Sequence, residues 1–275
     1  MIFYNKFFNI YYKIKVMDGH LIIIFLLFLI ISILMIEKYD VEYFKHFIGE
    51  HIHFMSKNEL IDFFRSDPDG YFKSFNQINL RAYGYDNINE YINASIKDAD
   101  DFNEEEKKYL IKEMKRADEF LKTFNKIKHF PAKKVADIPW KLAKTRKNVY
   151  EKGYPHTRLD VIFMPADILM DKDVIRTLVH EKVHIFSRLY PDDMQKWNEH
   201  NGYKRFNKLT NYPLARNNPD VDGIVYLDKN GKETLAQYRN RYPMSIEEAF
   251  YPYGQDYTRE HPNEVLAYKV DAYIK

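Results

Sequence analysis

The sequence predicts an α+β domain that follows an N-terminal transmembrane helix. Three observations support this fold class. Apolar residues recur at helical spacing through much of residues 56–124, two strand-like stretches follow Pro131 and Pro139, and an amphipathic helix covers residues 174–189. Helices and strands are therefore both expected in the part of the chain that lies outside the membrane.

An apolar segment, Leu21–Ile36, is the first predicted element and follows a tail of residues 1–20. Its 16 residues carry no charge, and Ser32 is the only polar one. The length is slightly below the roughly 20 residues that span a bilayer as a helix. No small-residue cleavage site follows, so we expect an uncleaved signal anchor. Lysines are more numerous before the segment than close after it, which favours a single-pass protein whose main domain is luminal or extracellular.

Residues 37–130 form the next predicted section, which is mainly helical. Ser56-Lys57-Asn58-Glu59 is a capping box, in which the Ser56 hydroxyl and the Glu59 carboxylate each bind a backbone amide that has no partner within the helix. Apolar residues follow it directly. Residues 104–124 repeat apolar side chains every three or four positions, so we expect a long amphipathic helix there.

The last section, residues 131–275, combines strands and helices. Strand-like stretches occupy residues 140–150 and 159–164, and Asp228-Lys229-Asn230-Gly231 predicts a hairpin turn. Pro262 suits the first turn of a final helix, because a helix needs no amide hydrogen at that position. Aromatic residues make up 16% of the chain and would supply much of the core.

The pentapeptide His180-Glu181-Lys182-Val183-His184 is the strongest functional signal. Residues four apart share one face of a helix, so both imidazoles can bind one zinc ion at about 2.0 to 2.1 Å. Glu181 can reach a water on that metal and act as its general base, which is the chemistry of a zinc hydrolase. The plain alternative is an amphipathic helix with two solvated histidines. Lys182 falls within the apolar arc, and we expect its ammonium to reach water.

A catalytic zinc ion usually has three protein ligands, so the sequence must supply one more. Glu264 is the best candidate, because it follows the predicted helix start at Pro262 closely. Glu260 and His261 are alternatives that the proline leaves less firmly positioned. The structural alternative for Glu264 is a surface carboxylate that stabilises the first turn through the helix dipole.

These residues resemble the gluzincin group of zincin metallopeptidases, whose HExxH helix is joined by a glutamate from a later helix, often within an Asn-Glu-x-x-Ala stretch. The matching residues are His180, Glu181, His184, Asn263, Glu264 and Ala267. The resemblance implies a zincin-like fold with a small antiparallel or mixed sheet and an active-site helix. It also implies zinc as the cofactor and hydrolysis of peptide bonds by a zinc-bound water that Glu181 activates.

The resemblance leaves two roles open. Thermolysin-like members carry an aspartate four positions after the ligand glutamate to orient a ligand histidine, but here that position is Tyr268, and the next aspartate is Asp271. The group that stabilises the oxyanion is also open. His156 would lie near the cleft in a zincin-like layout, and Tyr257 and His261 precede the ligand glutamate, so each is a catalytic candidate. An ordinary structural hydrogen bond is the alternative for His156.

Composition narrows the classes of function. The net charge of +2, with no dominant basic block, argues against nucleic-acid binding, and the absence of cysteine excludes thiolate zinc ligands. The expected partners are a peptide or protein substrate and a lipid membrane. Two alternatives are a zinc hydrolase of non-peptide amides or esters and a catalytically idle, zinc-stabilised binding protein on a membrane or virion surface. Glu181 argues against the second, because zinc stabilisation requires no base.

Overall fold

This computed structural model describes Ile30 and residues 51–146, 149–251 and 256–274. The predicted signal anchor, Leu21–Ile36, therefore lies outside the described residues except for Ile30. Within the described ranges, no helix is long and apolar enough to cross a bilayer. The chain from residue 51 onward clusters as one unit, and its helices and small sheets form an α+β fold.

The principal sheet is mixed and has five strands: β1 (Ile52–Phe54), β2 (Ala99–Asp100), β3 (Trp140–Thr145), β4 (His156–Arg158) and β5 (Val161–Pro165). β5 runs parallel to β3 along one edge, while β1, parallel, and β2, antiparallel, bind successive halves of the other edge. β4 lies antiparallel beside β5 at the end of the sheet. The strands predicted at 140–150 and 159–164 are confirmed, although β3 ends at Thr145.

Five described helices lie between β1 and β3: α1 (Lys57–Ser66), α2 (Gln77–Tyr83), α3 (Ile88–Asp98), α4 (Glu104–Thr123) and α5 (Ala132–Ala136). The predicted capping box of Ser56 and Glu59 is present at the start of α1. α4 covers nearly all of the helix predicted over 104–124. β1 and β2 also fall within residues 37–130, so the section predicted as helical contributes to the same sheet as β3.

The principal sheet is buried on both faces. Val161 and Phe163 of β5 belong to one apolar cluster with Leu60 and Phe64 of α1, and the rings of Phe64 and Phe163 stack with their centroids 6.1 Å apart. Ile162 alternates with these β5 residues, points to the opposite face and is fully buried. Close packing on both sides fixes the position of β4 at the sheet edge.

The remaining chain adds three helices and a smaller antiparallel sheet: α6 (Val174–Leu189), α7 (Pro191–His200), α8 (Pro262–Asp271), β6 (Lys204–Lys208), β7 (Ile224–Leu227) and β8 (Glu233–Thr234). β7 and β8 form the predicted hairpin, and Gly231 in its turn has a φ of 76°. α6 and α8 confirm the helices predicted from apolar spacing and from Pro262. Short 3₁₀ helices occupy Phe72–Ser74, Tyr150–Gly153, Leu209–Asn211, Ile246–Glu248 and Tyr257–Arg259.

The prediction that the Lys182 ammonium reaches water is wrong. The side chain is fully buried, and Nζ donates to the Asp118 carboxylate at 2.6 Å and to the Ala136 carbonyl oxygen at 3.1 Å. Nζ also lies 3.9 Å from the centroid of the Trp140 ring. The reason is that α4 and α5 pack against α6, so an ion pair replaces hydration. Burial lowers the pKa of Lys182 to about 8, although Asp118 opposes the shift.

Candidate metal centre and cleft

His180 and His184 lie one turn apart on α6, and their Nε2 atoms are 3.1 Å from each other. The side chain of His184 is 1% exposed and that of His180 is 12% exposed. α8 packs along α6 and removes both imidazoles from bulk water. The alternative of two solvated histidines is therefore wrong.

Glu264 brings a carboxylate to the same point from the first turn of α8. His261 caps this helix, since its Nδ1 accepts a hydrogen bond from the Asn263 amide, and Pro262 begins it. The Oε2 atom of Glu264 lies 3.5 Å from Nε2 of His180 and 3.6 Å from Nε2 of His184. α6 and α8 thus bring three possible metal-ligand atoms close together.

The spacing of these three atoms suits a tetrahedral zinc site. Ligands held about 2.0 to 2.2 Å from one zinc ion lie roughly 3.3 to 3.6 Å from each other. The observed separations are 3.1, 3.5 and 3.6 Å, and two imidazoles with one carboxylate are a donor set that zinc accepts. A second trio, Glu181, His184 and Asp220, also lies within 4.8 Å. The trio of His180, His184 and Glu264 fits zinc better because it offers two imidazoles.

Asp271 holds His180 in this orientation. Its Oδ2 lies 2.9 Å from Nδ1 of His180, and because a carboxylate accepts, Nδ1 carries the proton and Nε2 faces Glu264. Arg176 donates to the other carboxylate oxygen at 3.0 Å. The Tyr268 ring packs edge-on against the imidazole, with centroids 4.4 Å apart. Asp271 therefore fixes the orientation of the His180 ring, whereas Tyr268 contacts that ring only by packing.

Glu181 adds a second carboxylate beside the histidines. The residue is 4% exposed, and its Oε2 has no hydrogen-bond partner within the described part of the chain. Burial raises the pKa of Glu181 well above its ordinary value, and the nearby Asp220 carboxylate adds to this effect while His180 opposes it. An unpartnered buried carboxylate destabilises a fold by about 1 to 3 kcal/mol or more. Such a group is typical of a functional site.

The charges around the histidines favour a cation at their centre. Burial alone would raise the pKa of Glu264, but His184 and His180 hold it well below its ordinary value. Burial alone would lower the pKa of His180, but its hydrogen bonds to Asp271 and Glu264 raise it well above 6.5. Both shifts have one physical cause, which is the attraction between buried carboxylates and a positive charge on the imidazoles.

A cleft of about 710 Å³ opens onto this centre. His156 and Tyr257, both predicted as catalytic candidates, line it together with Glu181. His261 is not among its described lining residues. Nε2 of His261 instead lies 3.2 Å from Asp222 Oδ1, while Nδ1 caps α8. The structure therefore brings His156 and Tyr257 to the cleft and gives His261 two structural contacts.

The Nε2 atom of His156, on β4, can accept a hydrogen bond but cannot donate one. Its Nδ1 lies 2.9 Å from the Tyr154 carbonyl oxygen, which accepts, so Nδ1 carries the proton of the neutral ring. The side chain is 3% exposed, and burial lowers the pKa of His156. Nε2 is then left with a lone pair. This tautomer offers no Nε2 proton to an oxyanion, so it does not favour the predicted stabilising role.

Two further residues of the cleft, Asp220 and Glu151, carry no functional signal in the sequence. Asp220 accepts a hydrogen bond from the Thr157 amide at 2.8 Å, which ties the loop before β7 to β4. The Glu151 carboxylate accepts hydrogen bonds from three tyrosine hydroxyls, those of Tyr71, Tyr83 and Tyr91. All these partners are at least 60 positions away in the chain. No local pattern in the sequence marks such residues.

No family model matches the chain, and neither a curated protein nor a solved structure matches it. A functional proposal for this α+β chain therefore rests on the geometry of the site. Two helices bring two imidazoles and a carboxylate together, and a second, unpartnered carboxylate lies beside them in an open cleft.

Proposed function

We propose that the chain is a zinc-dependent metallopeptidase with a gluzincin-like centre and a zincin-like fold. One observation carries the proposal. The donor atoms of His180, His184 and Glu264 form a triangle with edges of 3.1 to 3.6 Å, beside the unpartnered carboxylate of Glu181. The Asp271 carboxylate supports it, because metal-binding histidines usually donate their other ring N–H to such a group.

The residues have separate roles in this proposal. His180, His184 and Glu264 hold the metal, and Asp271 positions His180. Zinc, when bound, supplies a Lewis acid that polarises the scissile carbonyl and makes water more acidic. Glu181 takes a proton from the attacking water and passes it to the leaving amine. Since Oε2 of Glu181 has no partner among the described residues, it can accept that proton without breaking an existing bond.

A zinc hydrolase of non-peptide amides or esters is the second candidate. The cleft volume of about 710 Å³ falls within the roughly 300 to 1,000 Å³ of typical small-molecule sites. The same proton transfers would serve such a substrate. An idle, zinc-stabilised binding protein is less favoured, because the unpartnered Glu181 carboxylate destabilises a site that needs no base.

We also propose that Leu21–Ile36 anchors the protein as a single-pass membrane protein with its catalytic domain on the luminal or extracellular side. The uncharged apolar length of this segment supports the anchor. The lysines that precede it support the orientation. The partners would then be the lipid bilayer and a peptide or protein substrate.

Three variants test the metallopeptidase proposal: His184→Ala, Glu181→Gln and, as a matched control, Glu199→Gln, which changes an exposed glutamate on α7 outside the cleft. His184→Ala should lose zinc in an elemental analysis. Glu181→Gln should keep zinc and lose about 100-fold or more of the cleavage rate on a mixed peptide library. The control should keep both. Full activity of the Glu181→Gln protein, or full zinc content of the His184→Ala protein, would refute the assigned roles.

A further inference from the structure

The walls of the cleft carry more carboxylates than cations. Outside the metal centre, the described lining carboxylates are Glu151, Asp173, Asp220, Glu247, Glu260 and Asp271. Among the same described residues, the cations are two guanidinium groups, and both are paired. Arg176 binds Asp271 at 3.0 Å, and Arg216 binds Glu260 at 3.2 Å. Four wall carboxylates remain after these pairs are set aside.

A bound zinc ion does not offset those four carboxylates. Its two charges balance Glu264 and Glu181, which belong to the centre itself. Arg188, which does not line the cleft, contributes one positive charge near Asp220. The walls therefore keep a negative balance, and a cleft with low-dielectric walls concentrates the field of such charges.

Aromatic rings accompany these carboxylates. Four tyrosines are among the described lining residues: Tyr154, Tyr251, Tyr257 and Tyr268. Tyr154 and Tyr257 are 53% and 54% exposed, so their rings are accessible to a ligand. A tyrosine ring attracts an ammonium or guanidinium group through its quadrupole, and its apolar body packs against the methylene stem of lysine or arginine. His156 also lines the cleft, and its buried Nε2, which carries a lone pair, has no hydrogen-bond partner among the described residues.

We propose that the cleft recognises a cationic group next to the cleaved bond, either the ammonium or guanidinium of a basic side chain or the terminal ammonium of a peptide. The cleavage rests on the proposed function, whereas the charge preference can be measured without it. An acidic peptide would meet like charges on the same walls, so it should bind least well.

The first experiment measures peptide binding to the full chain carrying Glu181→Gln, in a detergent with an uncharged headgroup. Four octapeptides with a neutral fluorophore serve as probes: an acetylated lysine-rich peptide, its glutamate and norleucine counterparts, and the norleucine peptide with a free amino terminus. The lysine peptide should bind at least about tenfold more tightly than the glutamate peptide at low salt. The ratio should fall when salt is raised to about 0.5 M, because screening shortens the Debye length.

A second arm changes the walls and leaves the metal centre intact. Asp173 and Glu247 are exposed wall residues, so their replacement leaves the buried core unchanged. The double variant Asp173→Asn/Glu247→Gln should reduce the lysine-to-glutamate preference at least about threefold, because two wall charges are lost. Glu119→Gln, an exposed change on α4 outside the cleft, should leave the preference unchanged.

Equal affinity for the lysine and glutamate peptides, or a preference that survives the double variant, would overturn the proposal. Tight binding of the norleucine peptide only when its terminus is free would support it and identify the terminal ammonium as the recognised group. If basic peptides bind preferentially but the wild-type chain cleaves none of them, the proposed function fails and the charge recognition stands. Cleavage of the peptides without any charge preference in binding would instead support the proposed function and overturn the charge recognition.

Discussion

Replacing Lys182 with methionine should lower the free energy of unfolding by about 3 to 5 kcal/mol, the usual loss when one partner of a buried ion pair is removed. Methionine keeps an apolar stem but removes the ammonium that binds Asp118 at 2.6 Å and the Ala136 carbonyl at 3.1 Å. Asp118 is 3% exposed, so its charge would stay buried with the Trp140 indole and His51 as its partners.

The double variant Asp118→Asn/Lys182→Met separates the effect of the charge from that of packing. Asparagine removes the carboxylate charge and keeps an oxygen that can accept from the Trp140 indole. The double variant should recover roughly 2 kcal/mol of the loss, because neutral partners are buried at less cost than an unpaired charge. Urea unfolding of the full chain at pH 7, followed by circular dichroism, gives both differences.

Lys112→Met, an exposed change on α4, is the control and should alter stability by less than about 0.5 kcal/mol. Two results would refute the reasoning. One is a Lys182→Met protein that unfolds at the urea concentration of the wild type. The other is a double variant no more stable than Lys182→Met, since the charge of Asp118 would then contribute nothing to the loss.

Asp271→Ala should weaken zinc binding about 10- to 100-fold in a competition with a zinc-sensitive dye, because His180 loses the acceptor that orients it. Arg176→Ala leaves that acceptor in place and should have a smaller effect. Acidification below about pH 6.5 should destabilise the wild type more than His156→Gln. Burial lowers the pKa of His156 in the folded chain. At acidic pH the unfolded chain therefore binds more protons at this residue than the folded chain does, and stability decreases as the pH is lowered. Urea midpoints at two pH values check this, and parallel pH profiles would contradict it. The predicted anchor, Leu21–Ile36, should keep the chain in the membrane pellet after carbonate and high-salt washes, because salt does not screen apolar burial; a soluble chain lacking the segment would indicate a cleaved signal peptide.

Several elements could be predicted from the sequence because their signals act over a few positions. The apolar spacing that indicates α6 repeats every three or four residues, and the capping box at α1 joins Ser56 to Glu59. Pro262 marks the start of α8 by its own covalent geometry. The four-residue interval between His180 and His184 likewise determines that both imidazoles share one face of a helix, whatever the rest of the fold.

Tertiary packing decided which groups surround those imidazoles. Asp271 lies 91 positions from His180, and Asp118 lies 64 positions from Lys182. No periodicity links such distant residues, since their contact depends on how α8 lies along one side of α6 and α4 covers another. The raised pKa of Glu181 and the negative walls of the cleft have the same origin. Desolvation and charge density depend on the groups that pack around a side chain, and these are determined only when the chain is folded.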